Sequence, residues 1–576
     1  MRIRHIEIRN FRGIKSLSWH VKGDFCCIIG PGDTCKTTIL TAFDYALSPR
    51  TSLSFEDSDF FAQDVDQDIV VQVTLTDWDE TQPSIRKFFQ ESKFAQYKCG
   101  LDDTGPLVEP REGGTVAVSV SLRVDGSLEP KWFVVKGRDE GEATERKPLY
   151  AADRGALGLS RLDTYSDYHF TWGRNTILTR LSADNEGNLG AVLSGLAREM
   201  RQGDISGHES IAECQGVADT IKQESGDAGV KLTGLSPRID IQRRSMTAGA
   251  LSLHEDNVPV RNKGSGSKKL VAAAMQMKLH GGKNISLIDE IEVGLEPHRI
   301  RGLIYRLQNT GQQIFTTTHS PVVIRELDVA KDELYVCRRD AAGTVSLDSL
   351  AVVPAIQGPV RNNAEAFLGS KIVACEGPTE MGCLRAYDQY RFKGGSTPVW
   401  SLATSYFNAG SGGQIKVVCP KLHALGYRTA AFCDNDAQDQ LSDAEVARLR
   451  AAAIHVCQWD AGNSTERQLF HDLPWTHIPG LLTTIADSHR TLDYATIIDC
   501  VIKEPRVIAQ DLGADPAAWP ESPLLRQVMG ELAHERSWIK SIGYAATVFY
   551  FALPLLPDTS VIKSRLGLLW DWVQHE

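Results

Sequence analysis

Two groups of residues in this 576-residue chain have side chains suited to phosphate and metal chemistry. The first lies in the segment Gly30-Pro-Gly-Asp-Thr-Cys-Lys-Thr37, which follows a strand-like apolar run and precedes a helix-like pattern. Loops of the form GxxxxGK[ST] in this context bind phosphates through backbone N–H groups and the helix N-terminus. A chance glycine-rich turn remains the alternative. The residues predicted to bind nucleotide here are Gly30, Gly32, Asp33, Thr34, Lys36, Thr37 and Thr38.

Within this loop, Lys36 is expected to reach the β- and γ-phosphates of ATP, and Thr37 to hold Mg²⁺. Cys35 departs from the pattern, because it stands where the second glycine belongs. A residue with a Cβ atom that is forced into left-handed backbone geometry costs about 1–2 kcal/mol. It also crowds the phosphates. We therefore expect weakened ATP binding or turnover, a hypothesis that Cys35→Gly tests.

A second nucleotide element is predicted where the apolar run 285–288 ends in Asp289-Glu290. In a P-loop ATPase, Asp289 would bind Mg²⁺ through water, and Glu290 would orient or deprotonate the attacking water. An apolar run followed by two acids is common in proteins, so this motif has weight only because a phosphate loop precedes it.

The second group is a set of four carboxylates. Glu376 ends an apolar run and Glu380 follows a Gly-Pro turn, whereas Asp434 and Asp436 end another apolar run. Carboxyl ends of strands are where α/β sheets bind ligands. Four carboxylates at one sheet edge repel each other unless protons or cations neutralise them, and hard cations such as Mg²⁺ or Mn²⁺ suit them. For any single residue, capping of a helix or strand end is the alternative.

The elements that must position these groups follow from hydrophobic periodicity. Strands are predicted at 1–9 and 24–29 with a helix over 37–46, and 69–76 and 115–122 alternate like antiparallel strands. The pattern beyond about residue 480 is mainly helical. The predicted domains are an ATPase N-terminal half (1–155), a helical dimerisation insert (156–240), an ATPase C-terminal half (241–355), a metal-binding α/β domain (356–480) and a helical C-terminal part of that region (481–576).

Composition limits the protein class. The formal charge of −11 argues against a polybasic nucleic-acid binder. It does not exclude a nucleic-acid substrate, because metal-binding carboxylates contribute to the negative charge. The longest late apolar run, 544–556, is too short to span a bilayer. The scattered cysteines suit a reducing compartment, so we expect a cytoplasmic protein without membrane contact.

The ATPase motifs resemble the ATP-binding-cassette group that includes the SMC and RecF ATPases. Besides the phosphate loop and Asp289-Glu290, the chain has a Gly-Ser-rich segment at 264–267, a loop Gly294-Leu-Glu-Pro297 and a strand-like run that ends at His319. The resemblance implies that Ser265 and Gly266 cap the γ-phosphate bound to an opposite subunit, and that His319 is the switch histidine. It also implies a homodimer or higher oligomer. Lys263 replaces the usual leucine of the signature motif.

The four carboxylates resemble the Toprim pattern, an EG-x-x-E element followed by a strand that ends in DxD. An ATP-binding-cassette head followed by Toprim is the layout of the OLD (overcoming lysogenization defect) nucleases. That resemblance implies catalytic and metal-binding roles for Glu376, Glu380, Asp434 and Asp436. It also implies a metal-supporting role for Glu466 and a catalytic role for Lys540, each with a solvated or capping residue as the alternative.

The resemblance implies an ATP-regulated, metal-dependent DNA endonuclease of bacterial or phage defence, with ATP and Mg²⁺ or Mn²⁺ as cofactors. Related systems suggest two partners, a UvrD-like helicase as in Gabija or a retron reverse transcriptase with its DNA. A nucleotide-sensing scaffold, whose chemistry a partner supplies, is the second class. A topoisomerase-like strand transferase is a third, for which the chain shows no recognisable tyrosine module.

Overall fold

The structure of the chain is a computed structural model. It describes residues 1–50, 53–78, 86, 94–102, 107–109, 114–138, 144–162, 167–171, 176–181, 215, 252–256, 258–278, 285–329, 331–353 and 356–575.

The described strands share the apolar, β-branched composition that favours pleated surfaces. In chain order they are β1 (Arg2–Phe11), β2 (Ile14–His20), β3 (Phe25–Ile29), β4 (Ile69–Thr76), β5 (Cys99–Leu101), β6 (Leu107–Val108), β7 (Thr115–Val124), β8 (Pro130–Val135), β9 (Arg146–Pro148), β10 (Leu159–Leu162), β11 (His254–Glu255), β12 (Val258–Pro259), β13 (Ile285–Ile288), β14 (Gln313–Thr317), β15 (Glu333–Arg339), β16 (Val345–Ser349), β17 (Lys371–Cys375), β18 (Thr404–Asn408), β19 (Arg428–Cys433) and β20 (His455–Gln458).

The described α-helices become longer and more frequent toward the C-terminus. In chain order they are α1 (Lys36–Leu47), α2 (Ala151–Gly155), α3 (Ile177–Leu181), α4 (Ser265–Lys278), α5 (Pro297–Gln308), α6 (Pro321–Glu326), α7 (Gln357–Asn362), α8 (Pro378–Lys393), α9 (Gly412–Ala424), α10 (Asp443–Ala451), α11 (Thr465–Asp472), α12 (Ile478–Ser488), α13 (Tyr494–Ile502), α14 (Pro523–Glu535), α15 (Ile542–Ala552) and α16 (Val561–Gln574). Among the described residues, no helix combines the length and apolar character that crossing a membrane requires.

The chain divides into two compact units. The first comprises residues 1–25 and 37–316, and the second comprises residues 26–36 and 317–576. The second unit therefore includes most of β3 and the phosphate loop as far as Lys36.

The first unit contains an antiparallel sheet in the order β2-β1-β4-β7, with β5, β6, β8 and β9 at its far side. Every residue of β4 is buried, because this strand lies between β1 and β7. The pairing of β4 with β7 confirms the antiparallel pattern predicted for 69–76 and 115–122.

A parallel group of strands in the same unit, β10-β13-β14, positions Asp289 just after β13. This arrangement differs from the predicted helical insert of residues 156–240, because Leu159–Leu162 forms β10 and pairs in register with β13. Most of the remaining insert lies outside the described residues. The proposed dimerisation role stays a prediction.

In the second unit, β3 pairs in parallel with β15, and β15 pairs antiparallel with β16. All five residues of β3 are buried, as its apolar sequence predicts.

The second unit also holds a four-stranded parallel sheet in the order β18-β17-β19-β20. Helices α8, α9 and α10 connect successive strands, as parallel pairing requires. The predicted helical region 481–576 shares one hydrophobic core with this sheet, since Val373 of β17, Phe432 of β19 and Val548 of α15 belong to the same buried cluster. The C-terminal helices therefore pack with the sheet around one hydrophobic core.

Candidate active sites

The phosphate loop begins where β3 ends. Gly30 has a φ of +136°, and a Cβ atom at this position would lie 2.6 Å from the carbonyl oxygen of Cys337. Only glycine fits this close backbone approach. Helix α1 then begins at Lys36, which gives the strand–loop–helix order that the sequence predicts.

Cys35 has the left-handed backbone geometry expected of the glycine that it replaces, with a φ of +69°. Burial raises the pKa of its thiol, so the helix N-terminus does not make it a reactive thiolate. Lys36 is buried, and its Nζ atom donates to the carbonyl oxygens of Gly30 and Pro31 within the loop. Its ammonium group is thus hydrogen-bonded to the same loop that is predicted to bind the phosphates.

The two predicted Mg²⁺ ligands of the first unit lie together. The Thr37 hydroxyl donates to Oδ1 of Asp289 over 3.2 Å. Sequence reasoning did not assign a role to Lys269, which holds the backbone after β13 by donating to the carbonyl oxygens of Asp289 and Glu290. Burial lowers the pKa of Lys269 to about 8, so it supports this turn as a weakly hydrated cation.

The predicted signature segment begins helix α4 at Ser265. A Cβ atom on Gly266 would clash with the carbonyl oxygen of Gly294, so the start of helix α4 packs directly on the loop that begins at Gly294. In the second unit, Thr318 donates its backbone N–H to Ile28 of β3 over 3.2 Å. His319 is exposed and comes directly after Thr318, which is hydrogen-bonded to β3, the strand that precedes the phosphate loop.

Glu376 and Asp434 follow the two central strands of the four-stranded sheet. Strand β17 is where the strand order reverses, since β18 lies on one side of it and β19 on the other. Ligands of open α/β sheets bind outside the strand ends at such a switch point. The backbone N–H of Asp434 donates to Oε2 of Glu376 over 3.1 Å. Burial raises the pKa of Glu376, and the hydrogen bonds from Asp434 and Gly412 oppose that rise.

Thr465, to which sequence reasoning assigned no role, links Glu380 to Asp434. The Thr465 hydroxyl oxygen is 2.7 Å from Oε1 of Glu380 and 2.8 Å from Oδ1 of Asp434. It also accepts a hydrogen bond from Nε1 of buried Trp459. Burial raises the pKa of Glu380 to about 7 and raises that of Asp434 well above its ordinary value. The charge of Glu466 adds to both shifts, and the charge of Glu380 adds to the shift of Asp434.

Asp436 and Lys540 lie at the more accessible side of this cluster. Asp436 is half-buried, and Nη1 of Arg467 is 3.9 Å from its Oδ2. Glu466 raises the pKa of His534, whereas the charge of Lys540 lowers it. Exposed Lys540 is thus within electrostatic range of the cluster, although among the described residues its side chain donates no hydrogen bond to a carboxylate.

Glu466 is almost completely buried, with 1% of its surface exposed. Its Oε2 accepts hydrogen bonds from Ser464 and from Nδ1 of His534, each over 3.0 Å. Burial acts to raise its pKa, but the bonds from His534 prevail and lower it. Oε1 of Glu466 is buried without a hydrogen-bond partner among the described residues, an arrangement that suits a cation ligand.

A metal ion fits the residues on this edge. One donor atom from each of Asp434, Asp436 and His534 lies within 4.8 Å of the others. Carboxylate oxygens and an imidazole nitrogen bind divalent cations. Glu466, whose Oε1 has no hydrogen-bond partner among the described residues, contacts His534 through its Oε2. His534 was missed by sequence reasoning; its only signal was its place shortly before the Ser537–Lys540 segment.

The chain has no match among curated proteins. Among solved structures it is similar to an Smc head bound to the C-terminal winged-helix domain of ScpA, with 15% identity over 61% of this chain and 99% of that chain and a TM-score of 0.32. A Pyrococcus furiosus Smc head with an extended coiled coil, bound to the C-terminal domain of ScpA, has 14% identity over 62% and 98% and a TM-score of 0.32. An SMC head domain from Thermotoga maritima has 11% identity over 61% and 100% and a TM-score of 0.28. These scores are too low to support an inference.

Two segments match models of ATPase families. Residues 1–99 match "AAA ATPase domain", and residues 247–325 match "AAA domain, putative AbiEii toxin, Type IV TA system". The first segment contains the phosphate loop and the second contains Asp289, Glu290 and the signature segment. The chain therefore carries an AAA-type ATPase domain built from mixed α/β elements.

Proposed function

We propose that this chain is an ATP-regulated, divalent-metal-dependent DNA endonuclease of the OLD type. One observation carries the proposal. Glu376 and Glu380 precede Asp434 by more than 50 residues in the sequence, yet the three lie together at the switch point of a parallel sheet, with Asp436 beside them. Buried carboxylates whose pKa values are raised by burial and by one another are typical of sites that need cations or protons.

In this function, Asp434, Asp436 and Glu376 would hold divalent cations, which would supply Lewis acidity and an activated water when bound. Thr465 orients Asp434 and contacts Glu380 through the same hydroxyl group. Lys540, exposed at the rim, stabilises the negative charge that develops on the phosphodiester. The expected products are nicked or cleaved DNA strands.

The ATPase domain regulates this reaction. Thr37 and Asp289, which are hydrogen-bonded to each other, would hold the Mg²⁺ of the nucleotide. In an ATP-binding-cassette arrangement, Ser265 and Gly266 would cap the nucleotide of a second copy, so ATP binding would couple to assembly of a homodimer or higher oligomer. Glu290 and His319 would then act on the attacking water and the γ-phosphate.

The match to a toxin-type ATPase model supports a role in anti-phage defence. The partner would be a UvrD-like helicase or a retron reverse transcriptase with its DNA. With a formal charge of −11, the chain should bind free DNA weakly and with strong salt dependence, through a local groove.

Two observations favour the second candidate function, a nucleotide-sensing scaffold. Cys35 keeps a strained left-handed backbone, and Lys36 is held by carbonyl oxygens of its own loop. Both features fit a loop that binds nucleotide without rapid turnover. A scaffold would not need the buried carboxylate cluster, which is why nuclease activity is the first candidate.

The test is cleavage of supercoiled plasmid with Mg²⁺ or Mn²⁺, with and without ATP. Glu376→Gln and Asp434→Asn should reduce nicking by more than about 10–100-fold, the range found when groups that only support metal ligands are removed. Asp558→Asn is the matched control, since that carboxylate is 98% exposed and pairs only with Lys563 among the contacts described. Nicking that survives both site substitutions would contradict the proposal. A complete lack of cleavage, alone and with either partner, would favour the scaffold.

A further inference from the structure

His534 belongs to the candidate metal site, although no sequence motif indicated it. It lies near the end of α14, in the C-terminal helical region, and its side chain is 29% exposed. Its Nδ1 atom is 3.0 Å from the buried Oε2 of Glu466. Because an ionised carboxylate only accepts hydrogen bonds, Nδ1 must carry the proton in this contact.

The ring is held in place by close helix packing. A Cβ atom on Gly530 would lie 2.8 Å from the Cα atom of Arg467, so glycine allows α14 to approach the backbone of α11. Residue 534 follows Gly530 by one helical turn and lies on the same face. This approach brings His534 beside Glu466, which is the neighbour of Arg467 on α11.

With Nδ1 committed to Glu466, the remaining ring nitrogen, Nε2, is the one that can bind a cation. A histidine that donates one N–H to a carboxylate and ligates metal with its other nitrogen is a common arrangement of protein metal sites. Donor atoms that share one ion at about 2.1 Å lie at most about 4.2 Å apart. One donor atom from each of Asp434, Asp436 and His534 lies within 4.8 Å of the others, so a small movement would bring these three side chains around one ion.

We propose that His534 directly ligates the divalent cation held by Asp434 and Asp436, and that Glu466 positions the imidazole through Nδ1. This inference deepens the proposed nuclease function and rests on it for the role of the metal. It revises the sequence-based prediction for Glu466, because Oε2 of that residue serves the histidine and only Oε1 remains for a cation. An imidazole ligand favours Mn²⁺ over Mg²⁺, which prefers oxygen.

The experiment uses the full chain loaded with Mn²⁺ in a nitrogen-free buffer. Pulsed electron paramagnetic resonance should detect the hyperfine coupling of a directly bound imidazole ¹⁴N in the wild type. His534→Ala should abolish that coupling and weaken Mn²⁺ binding by about 10–100-fold. Glu466→Gln should keep the coupling but weaken Mn²⁺ binding. His471→Ala is the control, because His471 is a 66% exposed histidine on neighbouring α11, and it should change neither quantity.

The wild-type spectrum decides the inference even if a variant fails to fold. Bound Mn²⁺ without ¹⁴N coupling would overturn it, and so would coupling that persists in a folded His534→Ala chain. Plasmid cleavage in the same samples separates this result from the proposed function. Cleavage without ¹⁴N coupling would reject only the ligand assignment, whereas coupling without cleavage would support the ligand and reject the nuclease.

Discussion

The Thr465 hydroxyl oxygen lies 2.7 Å from Oε1 of Glu380, although 85 residues separate the two in sequence. The same oxygen lies 2.8 Å from Asp434 and accepts a hydrogen bond from Trp459. A hydroxyl has a single proton to donate, so it can satisfy only one of the two carboxylates as an ion. Without a cation, the second short contact requires a protonated carboxyl group. Thr465 thus links metal binding to protonation at this edge of the sheet.

Replacement of Thr465 by valine should test this link. Thr465→Val keeps the shape of the side chain but removes the hydroxyl group that contacts both carboxylates, and we expect a loss of about 1–3 kcal/mol in the free energy of unfolding. Metal affinity should fall as well, because Asp434 loses its orienting bond. Thr465→Ser keeps the hydroxyl and should retain most of both. The measurements are denaturant unfolding and Mn²⁺ titration; equal behaviour of the valine and serine variants would contradict the linking role.

The stability of the metal-free chain should depend on pH through Glu380. Burial raises its pKa from an ordinary value of 4.5 to about 7 in the folded chain. The folded state therefore holds the proton more tightly than the unfolded state does. The stabilisation is fully present below about pH 4.5 and is lost as the pH rises through about 7.

In the presence of a chelator, we thus expect the unfolding temperature to fall between pH 5 and pH 8 by more in the wild type than in Glu380→Gln. Glu365→Gln, which changes a carboxylate that is 74% exposed, should follow the wild type. Added Mn²⁺ should oppose the loss at high pH, since it neutralises the ionised cluster. Parallel curves for the wild type and Glu380→Gln would show that Glu380 does not titrate in this range.

Much of this arrangement was predictable from the sequence, because periodicity is a local property. The apolar runs before Gly30, Asp289, Glu376 and Asp434 predict buried strands, and all four strands are present. The left-handed backbone of Cys35 was also expected from its place in the loop.

Residues whose roles come from packing between distant segments were not predictable. Thr465 acquires its role only because α11 starts beside the end of β19, and nothing in its neighbourhood of the chain indicates two carboxylate partners. His534 depends on the close approach that Gly530 allows. Strand β10 was not predicted, because it has only four residues and its neighbours in the sequence are polar and interrupted by glycines. It forms by pairing with β13.

Restoration of glycine in the phosphate loop should relieve strain. With φ at +69°, the Cβ atom of Cys35 costs about 1–2 kcal/mol of backbone strain. Glycine removes this strain but makes the unfolded chain more flexible. Cys35→Gly should therefore raise the free energy of unfolding by about 1 kcal/mol. Removal of the side chain should also strengthen ATP binding, because less bulk lies beside the phosphates. Cys35→Ala is the matched control, since it removes the thiol but keeps the Cβ atom. Equal stability and ATP affinity in the glycine and alanine variants would show that backbone strain is not the cause.

Substitutions of Lys540 test whether this residue is a catalytic lysine or a solvated surface lysine. If it stabilises charge on the phosphodiester, Lys540→Ala should lower the single-turnover rate of nicking by about 10²–10³-fold. Mn²⁺ affinity should stay unchanged, because Lys540 is not a ligand. Lys540→Arg should recover part of the rate, since it restores the positive charge without the compact ammonium group. Lys503→Ala is the control, as Lys503 is a 71% exposed lysine paired with Asp499. A nicking rate for Lys540→Ala that equals that of the Lys503→Ala chain would assign Lys540 to the solvated surface.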